Sequence, residues 1–134
     1  MNSLTDLRAD VAGRVRARVD AASLGVGVVL DVRDAHPPVV LVGVPAFAYA
    51  EGRVTVPVSV IAPGPGHADA LNWLQIALEV VTAAGPLGPY RFVTADPVFV
   101  DLGDRSFPAY QLACSIPAPA TFCGNRLPQP IAVP

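Results

Sequence analysis

The chain has 134 residues, enough for one domain with a single core, and a formal net charge of −2 with a sequence pI near 5.5. All nine basic residues are arginines, and the slightly acidic balance excludes a global basic field of the kind that attracts nucleic acid. Only 15% of residues are charged, whereas 52% are apolar and the mean hydropathy is +0.47, a shortage of charge that points to membrane insertion or burial against partners.

Membrane insertion is not expected. The longest uncharged run, residues 106–125, contains Pro108, Pro117 and Pro119 and offers no continuous apolar span of about 20 residues. The opening "MNSLTDLRAD" lacks the basic start and apolar middle of a signal peptide. The expectation is a product of the cytoplasm that ends inside an assembly.

In chain order, "SLTDLRADVAGRVRARVDAA" predicts the first helix. Ser3 caps it with Asp6 in a capping-box position, Leu4, Leu7, Val11 and Val15 share one face, and Asp10 pairs with Arg14 on the other. Arg14, Arg16 and Arg18 read there as a charged, solvated face. "GVVLDV" follows as a short extended segment. "VVLVGVPAFAYA" and "RVTVPVSVIA" form a hairpin around Glu51-Gly52. In the return strand Val54, Val56, Val58 and Val60 take one face. Pro57, lacking an N–H, predicts an edge strand or a bulge.

"PGPG" breaks that strand and "HADALNWLQIALEVVTAAG" predicts the second helix, stopped at Gly85-Pro86. "YRFVTADPVFVDL" and "SFPAYQLACSIP" form a second hairpin around "GDRS", with Tyr110, Leu112, Cys114 and Ile116 on one face. The order helix, hairpin, helix, hairpin predicts an α+β fold, a mainly antiparallel or mixed sheet packed with helices. Residues 1–118 form the single domain. Residues 119–134 are a Pro-rich C-terminal extension with Phe122, Leu127, Ile131 and Val133 as apolar anchors.

The sequence advertises no chemistry. Ser59 and Ser106 are the candidate nucleophiles for His36 or His67, and neither lies in a nucleophile elbow. "PGPG" is neither a dinucleotide fingerprint nor a P-loop. Cys114 and Cys123 have no CxxC spacing and read as reduced thiols. No catalytic residue, no cofactor and no metal are expected.

The second helix is the informative element. On a wheel of about 100° steps, Asn72, Gln75, Glu79 and Thr82 form one polar stripe, and Leu71, Leu74, Ala77, Leu78, Val81 and Ala84 form a core face. Trp73, Ile76 and Val80 extend the apolar arc to about 220°, wider than packing on one sheet requires. The first helix or an adjacent subunit is the second neighbour. Phe47 and Tyr49, on one side of a strand near its turn, are further interface candidates.

This pattern resembles the tail terminator proteins of long-tailed, siphovirus-type bacteriophages. The resemblance rests on the helix "LTDLRADVAGRVRARV", the Pro run "HPPVVLVGVP", the strand "VTVPVSVIAPGPGHADAL" leading directly into "NWLQIALEVV", and the last strand "AYQLACSIPAP". It covers about residues 1–118 and includes no invariant catalytic residue.

The resemblance implies a structural virion protein, assembled in the host cytoplasm. It would form a hexameric homo-oligomeric ring that caps the head-proximal end of the tail tube, stops elongation and offers a head-joining surface. Its partners would be the tail tube protein and the connector or neck proteins, with DNA passing through without specific binding. Phe47, Tyr49, Trp73, Ile76, Val80, Phe122, Leu127 and Ile131 would serve the subunit interface. Arg14, Arg16 and Arg18 would face the lumen or a neighbour. Other phage neck or tail-completion proteins, such as connectors and stoppers, share a similar plan. A small cytosolic enzyme or ligand-binding domain is the alternative of a different class.

Overall fold

The computed structural model describes residues 3–64, 67–83 and 85–118. Helix α1 spans Leu4–Ala21. It begins as its sequence requires: Ser3 is extended and its Oγ accepts the Asp6 N–H at 3.1 Å. Leu7, Val11, Val15 and Val19 recur every four residues and are buried together with Ala12. The helix stops at Ala22, whose N–H bonds to the Arg18 carbonyl, and the chain turns away through positive φ at Ser23 and Gly25.

Strand β1 (Gly27–Val29) pairs parallel with β2 (Val39–Val42). The connection between them holds a 3-10 turn at Val32–Asp34 and a cis Pro37-Pro38 bond. The predicted extended run from Gly27 to Val32 therefore pairs only as far as Val29; the chain bends at Leu30 and Asp31 before the turn. β2 pairs antiparallel with β4 (Arg53–Ile61), and a short β3 (Ala46–Ala48) pairs with the first part of β4. Helix α2 (His67–Thr82) leads to β5 (Arg91–Leu102) and β6 (Arg105–Pro117), joined at Gly103 with φ +68°. The sheet order is β1-β2-β4-β6-β5, with β3 beside β4. The result is a mixed α+β fold with a mixed sheet and two α-helices among the described residues.

Two expectations for the first hairpin are corrected. β4 is not an edge strand, since it lies between β2 and β6; the alternative, an irregular pairing at Pro57, is what the register shows, with residues 43–45 opposite Val56 and Pro57. The predicted partner "VVLVGVPAFAYA" is not one strand either, because it breaks at residues 43–45 between β2 and β3. The two departures have one cause. The Gly43 N–H donates to the Pro57 carbonyl at 2.8 Å, and in an antiparallel pair a residue's N–H and C=O point to the same side. The missing donor of Pro57 thus faces the break, where regular pairing has stopped. Position 43 also needs glycine, since a Cβ there would lie 2.8 Å from the Pro57 Cγ.

Both helices pack on one face of the sheet. Val54, Val56, Val58 and Val60 are fully buried in that core, beside Leu112, Cys114 and Ile116 of β6 and Leu74, Ala77 and Val81 of α2. Each valine, leucine or isoleucine among them contributes about 1.5–3 kcal/mol by leaving water. The opposite face carries a smaller cluster of Val39, Ile61, Ala109, Phe107 and Ala35. Three of these, Val39, Ile61 and Ala109, form a cross-strand row continued by Val98.

Leu71 does not join the predicted core face: it is 59% exposed, while Ala70, one position earlier, is buried in its place. Rotation of α2 by about 100° per residue turns Ala70, Leu74, Ala77 and Val81 inward. No described helix is long and apolar enough to cross a membrane.

Candidate functional site

The most exposed regular element is β5, the last strand of the sheet order. It has 12 residues and pairs with β6 along one side; its other side has no strand beside it among the described residues. Val93 is 60% exposed and Phe99 is 75% exposed. A register irregularity between Phe92 and Thr94, followed by Asp96 and Pro97, interrupts the first half of this edge. Bulges, charges and prolines of this kind discourage pairing. The second half, Val98 to Leu102, has a single charge at Asp101 and is rich in strand-forming residues.

Past Ile61 the hairpin leaves β4 behind, because β4 pairs with β6 only from Ala109 onward. The projecting tip curls toward the β1–β2 connection, where Phe107 and Leu102 join Ala35 in the minor cluster. The Arg105 guanidinium lies over the Phe107 ring at 5.3 Å from its centroid.

The helical candidates divide. Ile76 is 49% exposed, whereas Trp73 and Val80 are half-buried and Trp73 packs on the margin of the main core. The widened apolar arc of α2 therefore serves its own domain as well as its surface. Phe47 lies in β3 and packs against the same core margin. Tyr49 is outside the strand, at the start of a 3-10 turn (Tyr49–Glu51), and is 79% exposed. The two rings still meet, stacked at 5.3 Å with planes 7° apart. Phe122, Leu127 and Ile131 lie outside the described residues.

Arg14 and Arg16 lie on the exposed face the sequence suggests and Arg18 is half-buried, but Arg16 and Arg18 also bond beyond their own helix. Arg18 donates to the carbonyls of Val81, Gly85 and Pro86 at 2.6, 2.9 and 2.7 Å, closing the C-terminus of α2. Arg16 donates to the Val28 carbonyl at 2.9 Å. Arg8, which the sequence did not single out, bridges the carbonyls of Val42 and Leu30. Arg14 pairs with Asp10 at 2.9 Å as expected, and Asp10 also accepts the Tyr90 hydroxyl at 2.9 Å.

A Cβ at Gly88, where φ is +63°, would overlap the Arg14 guanidinium. Arg14 and its neighbours thus fasten α1 to the Leu87–Tyr90 turn. The long guanidinium arms reach backbone carbonyls that a helical wheel cannot show, and that is why sequence reasoning missed them.

Ionisation is perturbed at three places. Burial, with the hydrogen bond to Asp10 second, raises the Tyr90 hydroxyl above its ordinary range. Burial pushes the free Cys114 thiol up to about 12. The side-chain hydrogen bond from Arg33 holds the exposed Asp31 carboxyl down at about 2. Of these groups, the Tyr90 hydroxyl meets the Asp10 carboxylate and the Asp31 carboxyl meets the Arg33 guanidinium. Among the described residues no group of three or more His, Cys, Asp or Glu is placed to hold a metal.

Comparison of the chain with known protein families, with curated proteins and with solved structures finds no match.

Proposed function

We propose that the protein is a ring-forming structural subunit of the tail terminator type, capping the head-proximal end of a long phage tail. The observation that carries the reading is the β5 edge, a long strand at the end of the sheet with Phe99 and Val93 in solvent. An isolated subunit gains nothing from leaving Val93 and Phe99 in solvent on an unpaired edge whose second half has a single charge at Asp101, and it risks irregular aggregation there. A closed ring covers the same patch on every copy and leaves none open.

In this reading the β5 edge and tip, with Ile76 on α2, form one side of a head-to-tail contact between copies. Arg14, Arg16 and Arg18 act inside the subunit, holding α1 to its neighbours, and do not serve as lumen contacts. DNA passes through the ring without being gripped, which suits a net charge of −2. The tail tube protein and a connector or neck protein are the expected neighbours along the axis.

Light scattering and electron microscopy of the purified protein test the ring, with six-fold particles expected and a monodisperse monomer at high concentration counting against it. Phage carrying Phe99→Glu tests the role: tails of uncontrolled length support termination. Tails of normal length that fail to join heads move the assignment to a connector or stopper.

A further inference from the structure

Large apolar side chains reach solvent at both ends of the sheet order. At the β5 end they are Val93 and Phe99; at the β1 end they are Leu30, Val32 and Val44, with Val44 69% exposed. Leu30 and Val32 follow β1, and Val44 follows β2. With Leu41 these three line one open cavity of about 510 Å³. Arg8 of α1 stands in its wall, half-buried and bonded to the Val42 carbonyl at 3.0 Å and to the Leu30 carbonyl. Those bonds use two of the five N–H donors of a guanidinium. Asp31, the acid of the same wall, is paired with Arg33 at 2.7 Å. The Val28 and Leu30 carbonyls already accept Arg16 and Arg8, so a partner at this end meets side chains and not an open backbone ladder.

We propose that this cavity is the socket for Phe99 of a second copy, and so the other side of the head-to-tail contact, an inference that rests on the ring reading. A head-to-tail contact joins two different patches carried by every copy, and these two lie at opposite ends of the sheet order. Their chemistry is complementary. Phe99 offers an exposed aromatic ring, the kind of side chain that dominates interface energetics once it leaves water. Asp101, two residues further on, lies on the same face of β5. Its carboxylate already accepts the Ser106 hydroxyl and keeps further lone pairs. As the Phe99 ring enters the apolar floor, the Asp101 carboxylate meets the remaining Arg8 donors in a charge-assisted bond. The wall holds Asp31 against its own Arg33, which leaves Arg8 as the cation for the incoming acid.

Two substitutions of exposed side chains separate the two sides in the full-length protein. Phe99→Glu removes the plug and keeps the socket; Val44→Glu blocks the socket and keeps the plug. Each alone should raise the dissociation constant for self-association by about a hundredfold, the scale of losing one buried aromatic side chain. An equimolar mixture of the two should form heterodimers and nothing larger in light scattering, because one intact plug meets one intact socket and the series stops there. A photocrosslinker that preserves the ring, p-benzoylphenylalanine in place of Phe99, should attach to residues 30–44 of a second copy, a readout that needs no change in the socket. Wild-type assembly by Val44→Glu, a mixture that stays monomeric, or cross-links elsewhere on the second copy would each overturn the socket and leave the ring reading standing. Unaltered protein that is monomeric at every concentration overturns the ring reading, and the socket with it.

Discussion

Helix α1 and strand β5 are opposite in character. α1 carries four arginines, and every one of them is bonded to a carboxylate or to backbone carbonyls of the same chain. β5 carries two exposed aspartates, an exposed arginine and two large exposed apolar side chains, and one of its long sides has no strand partner among the described residues. The arginines of α1 thus bond within the chain, whereas β5 leaves charged and large apolar side chains together at an open edge. The difference is the basis for proposing β5 as the interface: a partner that bound α1 would have to displace bonds already made, whereas the outer side of β5 has no strand partner among the described residues.

The sharpest way to break this comparison is a pair of glutamates. Leu74→Glu places a charge among fully buried valines and should remove cooperative unfolding altogether, since an unpaired buried charge costs more than a domain of this size can spare. Phe99→Glu should leave the melting transition within a few degrees of wild type while abolishing oligomers in light scattering. If Phe99→Glu unfolds like Leu74→Glu, the hairpin tip belongs to the core, and the open edge is not a surface for partners.

Arg18→Ala should cost about 2 kcal/mol in chemical denaturation, because it strips a charged donor from three carbonyls at the end of α2 while leaving assembly of the folded fraction unchanged. Loss of assembly without loss of stability would instead place Arg18 in a subunit contact.

A smaller effect separates the buried sheet from its edge by pH. The Cys114 thiol titrates at 9.0 in its ordinary state and near 12 when folded, because burial disfavours the thiolate. Between those values the folded state holds a proton that the unfolded chain has released, so stability falls as pH rises through this window. The slope is at most about 1.4 kcal/mol per pH unit for one group. Tyr90, raised in the same direction, steepens the loss above pH 10. Comparing the pH dependence of unfolding in Cys114→Ala with wild type should show a shallower fall from pH 9 upward, and parallel curves would refute the burial assignment.

The smallest effect is at the surface. Arg33→Ala should return the Asp31 carboxyl from about 2 toward its ordinary 3.8 in an NMR titration, with no measurable change in melting temperature, as expected for an exposed pair.

The sequence by itself determined the two helices, the last hairpin and the inward row of valines in β4. These follow from local rules: a capping serine at Ser3, apolar repeats at three and four, alternation in "VTVPVSV", and glycine at the turns. It marked Phe47 and Tyr49 as a pair, although their stacking required a turn the alternation does not describe. Only the tertiary structure decided that Pro57 sits in a central strand, since the absence of a donor matters only relative to the neighbour it faces.

Only the tertiary structure likewise decided where the arginines reach and which strand lies at the edge. A guanidinium extends several ångströms from its helix, and the carbonyls it meets at Val28, Val81 and Gly85 are distant in sequence. Leu71 and Ala70 exchanged their expected places because a wheel gives the period of a helix and not its rotation against a particular sheet. Phe99 looks like a core aromatic in a strand of alternating residues. It is exposed because the hairpin outruns β4 and lies at the end of the sheet, a fact of strand order that no local pattern contains.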